Sequence, residues 1–545
     1  MTKRIEPSAQ GENRHFPPLG SAINVLLVSP RFAPSFWSMS GLLELVPQDA
    51  LQPPLGLITV AALCPGSWTM RLVDLSFDAL TDADLLWADL VMVSGMRVQH
   101  DDMRETLLRA RALGKRTMVG GPHASSQPEL LLDLADHVVV GEPDEVFGSI
   151  ADDLERGSAR PLYVVEDKPD ISRTPIPRFD LLRMERYLML SVQFARGCPF
   201  QCEFCDIITI YGRKPRTKTS DQLLRELDAL LALGWRNRIF IVDDNFVGNR
   251  KRALELVQRL QEWQGQHGTP FTFKTEASLD LAQHPVLIDA MVKANFWSVF
   301  VGIETPSREA LAETRKLQNL RQDPLDAVKL IQHGGLWVSA GFIVGFDSDT
   351  ADIFDRQIAF IERADIAFAI AGFLVALPTT PLYERMRNEG RLIEGVPINR
   401  FRSPNFRTIL PLPALLRGGI SILSGIYEPS AFFDRAFRCV AAWNVRDFQR
   451  APSQPRSYVR SVLVQSVVRQ GLRSSYRRAY WRFLFRIIWH WRSNPQKFWL
   501  AFSLLLSGHH FIGFAREVTA ELSEELRQLG DEPSPVAAKA PAQAA

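Results

Sequence analysis

Short apolar runs alternate with amphipathic stretches along most of this 545-residue chain. A short apolar run is typical of a parallel strand that is covered on both faces, and the amphipathic stretches between the runs are typical of helices. The runs fall into two series that a stretch rich in proline and charge separates. The first series contains residues 23–29, 70–74, 90–95, 117–121 and 137–142.

The first series predicts a doubly wound, Rossmann-like α/β domain over residues 21–160. Ligands of such domains bind at the carboxyl ends of the strands. Small residues at those ends allow a backbone to approach a large flat ligand closely, although glycines there are also ordinary turn residues. The candidate ligand contacts at these strand ends are Ser94, Gly95, Gly120, Gly121, Gly141 and Glu142.

The second series follows a predicted linker at residues 161–185 and predicts a partial parallel TIM barrel over residues 186–395. Helical stretches separate its runs, and Ser220 is the predicted N-cap of the helix at 220–234. The loops at the carboxyl ends of barrel strands form the active site in this architecture. The six runs begin at or near Ser191, Arg238, Phe271, Ser298, Val338 and Ile370.

The strand pattern stops near residue 396, and residues 396–530 are predicted to be a mostly α-helical region. Residues 1–20 and 531–545 have the composition of a disordered lead and a low-complexity tail. The N-terminal stretch lacks the apolar segment of a signal peptide. Cysteine is scarce in the chain, which favours a cytoplasmic protein over a secreted disulfide framework.

Three of the five cysteines lie within eight residues, as Cys198-x3-Cys202-x2-Cys205. A disulfide would leave an odd thiol, and a zinc site usually has four ligands in two separated pairs. Three thiolates on one loop can bind three irons of a cubane and leave the fourth iron open. A reduced cysteine cluster, or zinc completed by a distant histidine, remains an alternative.

The segment Cys198-Pro-Phe-Gln-Cys202-Glu-Phe204-Cys205 resembles the CxxxCxφC motif of the radical S-adenosylmethionine enzymes, with Phe204 as the aromatic residue. The resemblance implies that the three thiolates bind a [4Fe-4S] cluster. It also implies that S-adenosylmethionine chelates the open iron and is cleaved to a 5′-deoxyadenosyl radical. Such chemistry needs a low-potential cluster and a cavity that excludes water.

The same resemblance extends to residues at the ends of the later barrel strands. Asp243, Asp244 and Asn245 match the position that holds the methionine amino group, and Glu276 matches a ribose contact. The motifs beside the methionine and adenine are matched by Gly302, Glu304, Gly341 and Gly345. Backbone packing is the alternative role for the glycines, and capping of the next helix is the alternative for the aspartates.

An α/β domain ahead of this barrel resembles the cobalamin-binding members of the family. Such domains often carry an Asp-x-His-x-x-Gly motif after the first strand, but the corresponding segment here, residues 29–42, contains no histidine. His123 follows a different strand and is not assigned to cobalt. Cobalamin is therefore expected to bind without a histidine ligand, or not to bind at all.

Residues 202–216, 243–251 and 377–386 resemble the subgroup that includes the hopanoid C-2 methylases, and the resemblance covers about residues 22–520. It implies methylation of an unactivated carbon in a hydrophobic, possibly lipid, substrate, with a flavodoxin or ferredoxin as electron donor. A cyclase or another radical oxidation or rearrangement is the near alternative. A non-catalytic iron–sulfur binding or sensing protein is the remoter one. A methylthiotransferase would need more cysteines before the cluster than Cys64.

Charge is unevenly distributed, although the net charge is only +2. Residues 448–516 contain twelve basic residues and no acidic one. Within the predicted helix 476–491, Arg478, Arg482 and Arg486 form one stripe beside aromatic residues, which is typical of a helix at a membrane interface.

We therefore expect peripheral contact of residues 476–514 with the inner membrane surface. A helical cap on the barrel, with its arginines simply solvated, is the alternative. The apolar stretch 498–514 is short for a membrane span. A nucleic-acid partner is not expected, because no recognition motif accompanies the basic residues.

Overall fold

The computed structural model describes residues 17–444, except 394, 396, 397 and 400, and residues 455–531. The predicted lead and tail lie mostly outside these residues, and so does the predicted boundary at residue 396. The described chain contains two parallel sheets, each flanked by helices, and a helical C-terminal region. The predicted fold class is confirmed.

The first sheet has the order β2-β1-β3-β4-β5-β6, and all its strands are parallel. Five strands match the predicted runs, and a sixth lies at the start of the predicted linker. The strand order reverses at β1, so the loops after β1 and β3 face the crevice where such sheets bind ligands. The strands are β1 (Asn24–Ser29), β2 (Thr69–Asp74), β3 (Leu90–Ser94), β4 (Arg116–Gly120), β5 (His137–Val140) and β6 (Leu162–Val164).

Six helices accompany this sheet. The longest, α4, is amphipathic and buries Met103, Leu107 and Ala110 against the sheet. The helices are α1 (Ser40–Leu43), α2 (Leu55–Leu63), α3 (Asp82–Trp87), α4 (His100–Ala112), α5 (Pro122–Ser126) and α6 (Phe147–Arg156).

The second sheet has the order β14-β13-β12-β11-β10-β7, again all parallel. The two end strands do not pair with each other, so the barrel is open on one side. A short antiparallel pair, β8 and β9, flanks the cysteine loop. The strands are β7 (Leu190–Val192), β8 (Ala195–Arg196), β9 (Arg216–Thr217), β10 (Arg238–Ile241), β11 (Thr272–Ala277), β12 (Phe296–Glu304), β13 (Trp337–Val344) and β14 (Ala369–Phe373).

Helices follow the barrel strands in the predicted rhythm. The prediction that Ser220 caps α8 is wrong, because the side chain of Thr219 accepts the hydrogen bond from the Gln222 N–H. The helices are α7 (Ile207–Ile210), α8 (Ser220–Ala232), α9 (Arg250–Gln266), α10 (Pro285–Lys293), α11 (Arg308–Glu313), α12 (Pro324–His333), α13 (Ile353–Arg363) and α14 (Pro381–Asn388).

The C-terminal region is helical. A π-helical turn, Val467–Arg473, interrupts it, and the last helix packs against α15, α16 and α18. The helices are α15 (Leu412–Ile426), α16 (Pro429–Ala442), α17 (Arg456–Ser466), α18 (Arg477–Trp491) and α19 (Pro495–Asp531).

Helix α19 is 37 residues long, so it continues well beyond the apolar stretch 498–514. By length and composition it is the one candidate membrane span among the described residues. However, 67% of its apolar window is buried inside the protein. A helix in the core of a folded protein can have the same length and composition.

Helix α18 presents one apolar face to the protein and another to solvent. Tyr480, Phe483 and Ile487 are buried. Of the three arginines in the predicted stripe, Arg478 and Arg482 are exposed. Arg486 pairs with Asp434 at 2.7 Å and lies 3.6 Å over the Phe437 ring.

Candidate functional site

The cysteine loop is anchored at both ends before any ligand binds. Its first and last residues extend β8 and β9, and the Cys198 N–H donates to the Gly212 carbonyl at 3.2 Å. Gly197 has φ +90°, and a Cβ there would lie 2.7 Å from the Gly212 oxygen. Only glycine fits this position, so the strand can turn directly into the loop.

Two side-chain amides point at the cysteine sulfurs. Asn245 Nδ2 lies 3.8 Å from Cys198 Sγ, and Gln318 Nε2 lies 3.5 Å from Cys202 Sγ. Burial raises the pKa of both Cys198 and Cys205, so these thiols are neutral until a metal displaces their protons.

Among the described residues, no three His, Cys, Asp or Glu side chains are arranged to hold a single metal ion. In a cluster each thiolate binds its own iron, so the three sulfurs do not have to converge on one point.

A buried ion pair lies beside the thiols. The sequence analysis identified one of its residues, Glu304, and missed the other, Lys316. Glu304, in the left-handed region at φ +69°, pairs with Lys316, whose Nζ is 5.7 Å from the Phe204 ring centre. Burial alone would lower the pKa of Lys316, but Glu304 and the nearby Cys202 raise it. A Cβ on Gly302 would lie 2.5 Å from the Glu304 carboxylate, so this pair requires glycine there.

The two aspartates after β10 hold the backbone that leads into the cysteine loop. Asp243 accepts from the Phe194 N–H at 2.7 Å, and Asp244 accepts from the Gly197 N–H at 3.0 Å. Burial raises the pKa of Asp243 to about 8 and that of Asp244 to about 6. The helix-capping alternative is not supported, because Asn249 caps α9.

Asp243 also keeps one buried carboxylate oxygen without a hydrogen bond among the described residues. Such an atom is costly to bury, and a cationic or hydrogen-bond-donating ligand would satisfy it.

Glu276 lies in the barrel lumen on β11. It is half-buried, it accepts no hydrogen bond from any described residue, and burial raises its pKa to about 7. Gly341 on β13 packs closely against the Phe300 ring, since a Cβ there would lie 3.2 Å from it. Gly345, at φ +103°, donates its N–H to Asp349 at 2.8 Å and so shapes the turn after β13.

The crevice edge of the first sheet combines tight packing with exposed apolar side chains. A Cβ on Gly121 would lie 2.4 Å from Ser94 Oγ, and one on Gly95 would lie 2.9 Å from the Met103 sulfur. Met96 and Val98, in the loop after β3, are each about half exposed. This surface fits a large, partly apolar ligand.

Two histidines lie near that edge and contact each other. His100 Nδ1 and His123 Nε2 are 2.9 Å apart, and the remaining ring nitrogen of His123 is buried without a described partner. Burial, with the charges of His100 and Arg97, lowers the pKa of His123 to about 4. His123 is therefore a neutral ring at physiological pH.

Glu142, predicted to contact a ligand, instead joins the two domains. One of its oxygens lies 2.9 Å from Arg196 and the other 2.7 Å from Arg216, the residues that begin and end the cysteine loop. Asp144 adds a second bond to Arg196 at 2.8 Å. Burial would raise the pKa of Asp144, but Arg196 holds it below its ordinary value. We call these four residues the interdomain ion cluster.

Trp37 is a contact that the sequence analysis missed. It follows β1 in the first domain, and its ring centre lies 4.7 Å from that of Phe300 in the barrel lumen. The available signal was a tryptophan in a strand-end loop, but nothing in the sequence identified its partner on β12.

Comparisons with known proteins agree with this arrangement. The B12 binding domain matches residues 49–151, the Radical SAM superfamily matches residues 192–361, and a domain of unknown function matches residues 380–524. The chain belongs to the cobalamin-binding radical S-adenosylmethionine enzymes. Its cofactors are therefore a [4Fe-4S] cluster, S-adenosylmethionine and cobalamin.

Relatives of this radical enzyme match it over nearly its full length. An uncharacterized methyltransferase of Synechocystis is 42% identical, covering 93% of this chain and 94% of its own. The hopanoid C-2 methylase of Rhodopseudomonas palustris is 34% identical, covering 91% and 94%. The cobalamin-dependent radical enzyme OxsB shares the fold, with a TM-score of 0.57 at 15% identity over 92% of this chain and 81% of that one. The protein is a radical S-adenosylmethionine methyltransferase that depends on cobalamin.

Replacing Cys198, Cys202 and Cys205 together by alanine should abolish the cluster, because no other described side chains are placed to bind its irons. Iron and acid-labile sulfide should fall from about four each per chain to near zero. The matched control is Cys64→Ala, since Cys64 lies in the first domain and should leave both values unchanged. Retention of iron and sulfide by the triple variant would contradict the assignment.

Lys316→Met and Glu304→Gln should shift the cluster potential in opposite directions. A cation near the cluster favours its reduced, more negative form, so its loss lowers the potential, and loss of the carboxylate raises it. We expect shifts on the order of tens of millivolts in a redox titration followed by electron paramagnetic resonance. Lys329→Met, which removes a lysine paired with Asp365 instead, should change nothing. Shifts of equal sign would show that the two variants merely disturb packing.

Proposed function

We propose that this methyltransferase methylates an unactivated carbon of a hydrophobic substrate, of the hopanoid type or another polycyclic lipid. The observation that carries the proposal is the apolar contact between Trp37 and Phe300. It joins the cobalamin-binding domain to the barrel lumen. Met96 and Val98, at the crevice edge of the first sheet, offer further exposed apolar surface. The relative named hopanoid C-2 methylase supports the same substrate class.

The roles of individual residues form part of this proposal. Cys198, Cys202 and Cys205 bind the cluster, and Asn245 and Gln318 stabilise the sulfur charges through their amide N–H groups. The glycine-rich edge after β3 and β4 receives cobalamin. Cobalt takes no ligand from the loop after β1, which contains no histidine.

S-adenosylmethionine is bound by the polar groups at the barrel mouth. Glu276 is free to accept a hydrogen bond from a ribose hydroxyl, because no described residue occupies it. Asp243 and Asp244 act mainly as positioning residues, since their carboxylates hold the strand that enters the cysteine loop.

Besides binding its cofactors, the chain has to exclude water from the reaction. When bound, the cluster and S-adenosylmethionine supply a radical, and cobalamin supplies the methyl group. The chain must hold the substrate between the two domains and keep solvent from the radical. The interdomain ion cluster and the Trp37 contact fix the spacing of the two domains for this purpose. A low-potential donor of the flavodoxin or ferredoxin type is the electron source that such a cluster requires.

The proposal is tested by comparing lipid extracts of a deletion strain with its parent, together with purified enzyme and S-adenosylmethionine labelled in the methyl group. We expect a lipid lighter by one methyl group in the deletion strain, and label in the lipid product of the enzyme. Release of 5′-deoxyadenosine with an unlabelled, rearranged product would instead show a cyclase or oxidation. Failure of the reduced enzyme to form 5′-deoxyadenosine would indicate a binding or sensing protein.

We further propose that α18 brings the enzyme to an anionic membrane surface, where a lipid substrate resides. Its outer face exposes Arg478 and Arg482, together with 63% of Phe485 and 74% of Trp489. Aromatic rings beside arginines, with no acidic residue in the same helix, suit the headgroup region of an anionic bilayer. The opposite face of α18 is buried, so the exposed side chains need no change of fold to reach lipid.

The double variant Arg478→Gln/Arg482→Gln should bind anionic vesicles more weakly than the wild type. Each arginine near the surface contributes about 1 kcal/mol, so the loss should be about 30-fold at low salt. Flotation with vesicles containing phosphatidylserine measures it. Arg252→Gln/Arg259→Gln, which removes two charges from α9, is the matched control and should float like the wild type. If the wild type itself does not float, α18 is only a structural cap.

A further inference from the structure

Two cations face the barrel lumen from adjacent strands. Along β10 and β11 the residues alternate between buried positions and half-buried ones, so Arg238, Phe240, Lys274 and Glu276 share the inner face. Lys274 Nζ lies 4.6 Å from the Phe240 ring centre, and the Arg238 guanidinium lies 5.7 Å from that of Trp297. Both cations therefore lie over aromatic rings, and both are half-buried.

Neither cation has a carboxylate partner. Arg238 and Lys274 form no ion pair within 4.0 Å of any described residue. The charged or titratable groups that act on them are each other, Glu276 and Tyr458. Four cations of the described residues that are buried more deeply do have a carboxylate partner. These pairs are Arg196 with Glu142, Lys218 with Glu226, Lys316 with Glu304, and Arg435 with Glu362.

Two unpaired cations on neighbouring strands, placed diagonally because Lys274 lies opposite Phe240, repel each other and lose hydration. Burial lowers the pKa of Lys274, Arg238 lowers it further, and the Glu276 charge only partly opposes this. A bound anion would remove both costs, and an arginine with a lysine is a common way to bind a carboxylate or phosphate.

The position of the two cations sets the length of the ligand. Arg238 begins β10, whereas Asp243 follows the end of the strand beside the cysteine loop. Five residues of strand separate them by about 16 Å. Tyr458, which donates to Gln48 at 3.2 Å, lies near Arg238 at the far end of the lumen. When the anionic group of an elongated ligand binds at this end, the rest of the ligand extends toward the cluster.

We propose that the substrate carries a carboxylate or phosphate group, which Arg238 and Lys274 bind at the end of the lumen remote from the cysteine loop. The apolar body of the substrate lies along Phe240 and Phe300, and its reacting carbon lies at the barrel mouth. This inference rests on the proposed function and narrows its substrate class to an elongated, amphipathic anion. The two residues bind and position the substrate, and neither takes part in the radical step.

The first test uses dodecanoate, whose extended length is similar to that of the lumen, and neutral dodecanol. Equilibrium dialysis with the reconstituted full-length enzyme should show that the wild type binds dodecanoate at least 10-fold more tightly. In Arg238→Gln/Lys274→Gln the two probes should bind alike. Arg252→Gln/Arg259→Gln, with two surface arginines removed, should keep the wild-type preference. Lack of a preference in the wild type, including binding of neither probe, overturns the inference.

The second test asks whether Lys274 is structural. Lys274→Met should leave the urea midpoint of unfolding unchanged or raise it, because an unpaired charge is removed. Lys218→Met is the matched control, and it should lower the midpoint because it leaves the buried Glu226 unpaired. An equal loss in the two variants would overturn the inference.

The two proposals fail in distinguishable ways. If the wild type forms 5′-deoxyadenosine and transfers labelled methyl to a lipid extract but does not prefer dodecanoate, only the anionic group is wrong. If dodecanoate is preferred but no 5′-deoxyadenosine forms, the proposed function fails and the anion site remains.

Discussion

The interdomain ion cluster is the interaction on which the rest of the site depends. Glu142 and Asp144 follow β5 of the first sheet, and Arg196 and Arg216 begin and end the cysteine loop. All four side chains are largely buried, so removing one would leave a partner charge without water or counter-ion. Arg216 and Glu142 form a bidentate pair, at 3.1 and 2.7 Å, which fixes both the distance and the orientation of the residues that it joins across the two domains.

Burial also changes the protonation of the carboxyl groups at the barrel mouth. It raises the pKa of Asp243, Asp244 and Glu276 into the range of about 6 to 8, so these carboxyl groups are partly protonated near neutral pH. A cation nearby would favour their charged forms. One buried oxygen of Asp243 accepts no hydrogen bond from any described residue, and neither does Glu276. This is the chemistry on which the proposed S-adenosylmethionine contacts rest.

The loop after β1 contains no histidine, and its two large aromatic residues, Phe36 and Trp37, have other contacts. Phe36 is fully buried among rings of the C-terminal region, with Phe514 at 4.7 Å and Tyr427 at 5.6 Å between ring centres. Trp37 turns the other way, into the barrel lumen. The loop thus connects all three regions, and Arg435, buried against Glu362 and two backbone carbonyls, secures the helices to the open barrel.

The amino-acid sequence alone determined the order of the domains, eleven of the strands and the cysteine motif, because apolar runs and short spacings are local properties. The tertiary structure decided which charges meet. Glu142 looked like a ligand contact until its partners, more than 50 residues away, were placed beside it. Lys316 carried no local signal, and nothing in the sequence identified the partner of Trp37 on β12. Arg486 pairs with Asp434, which lies 52 residues away in the chain. The length of α19 and its burial likewise depend on neighbours from other parts of the chain. Pairing between distant residues is set by packing, and no pattern along one segment contains it.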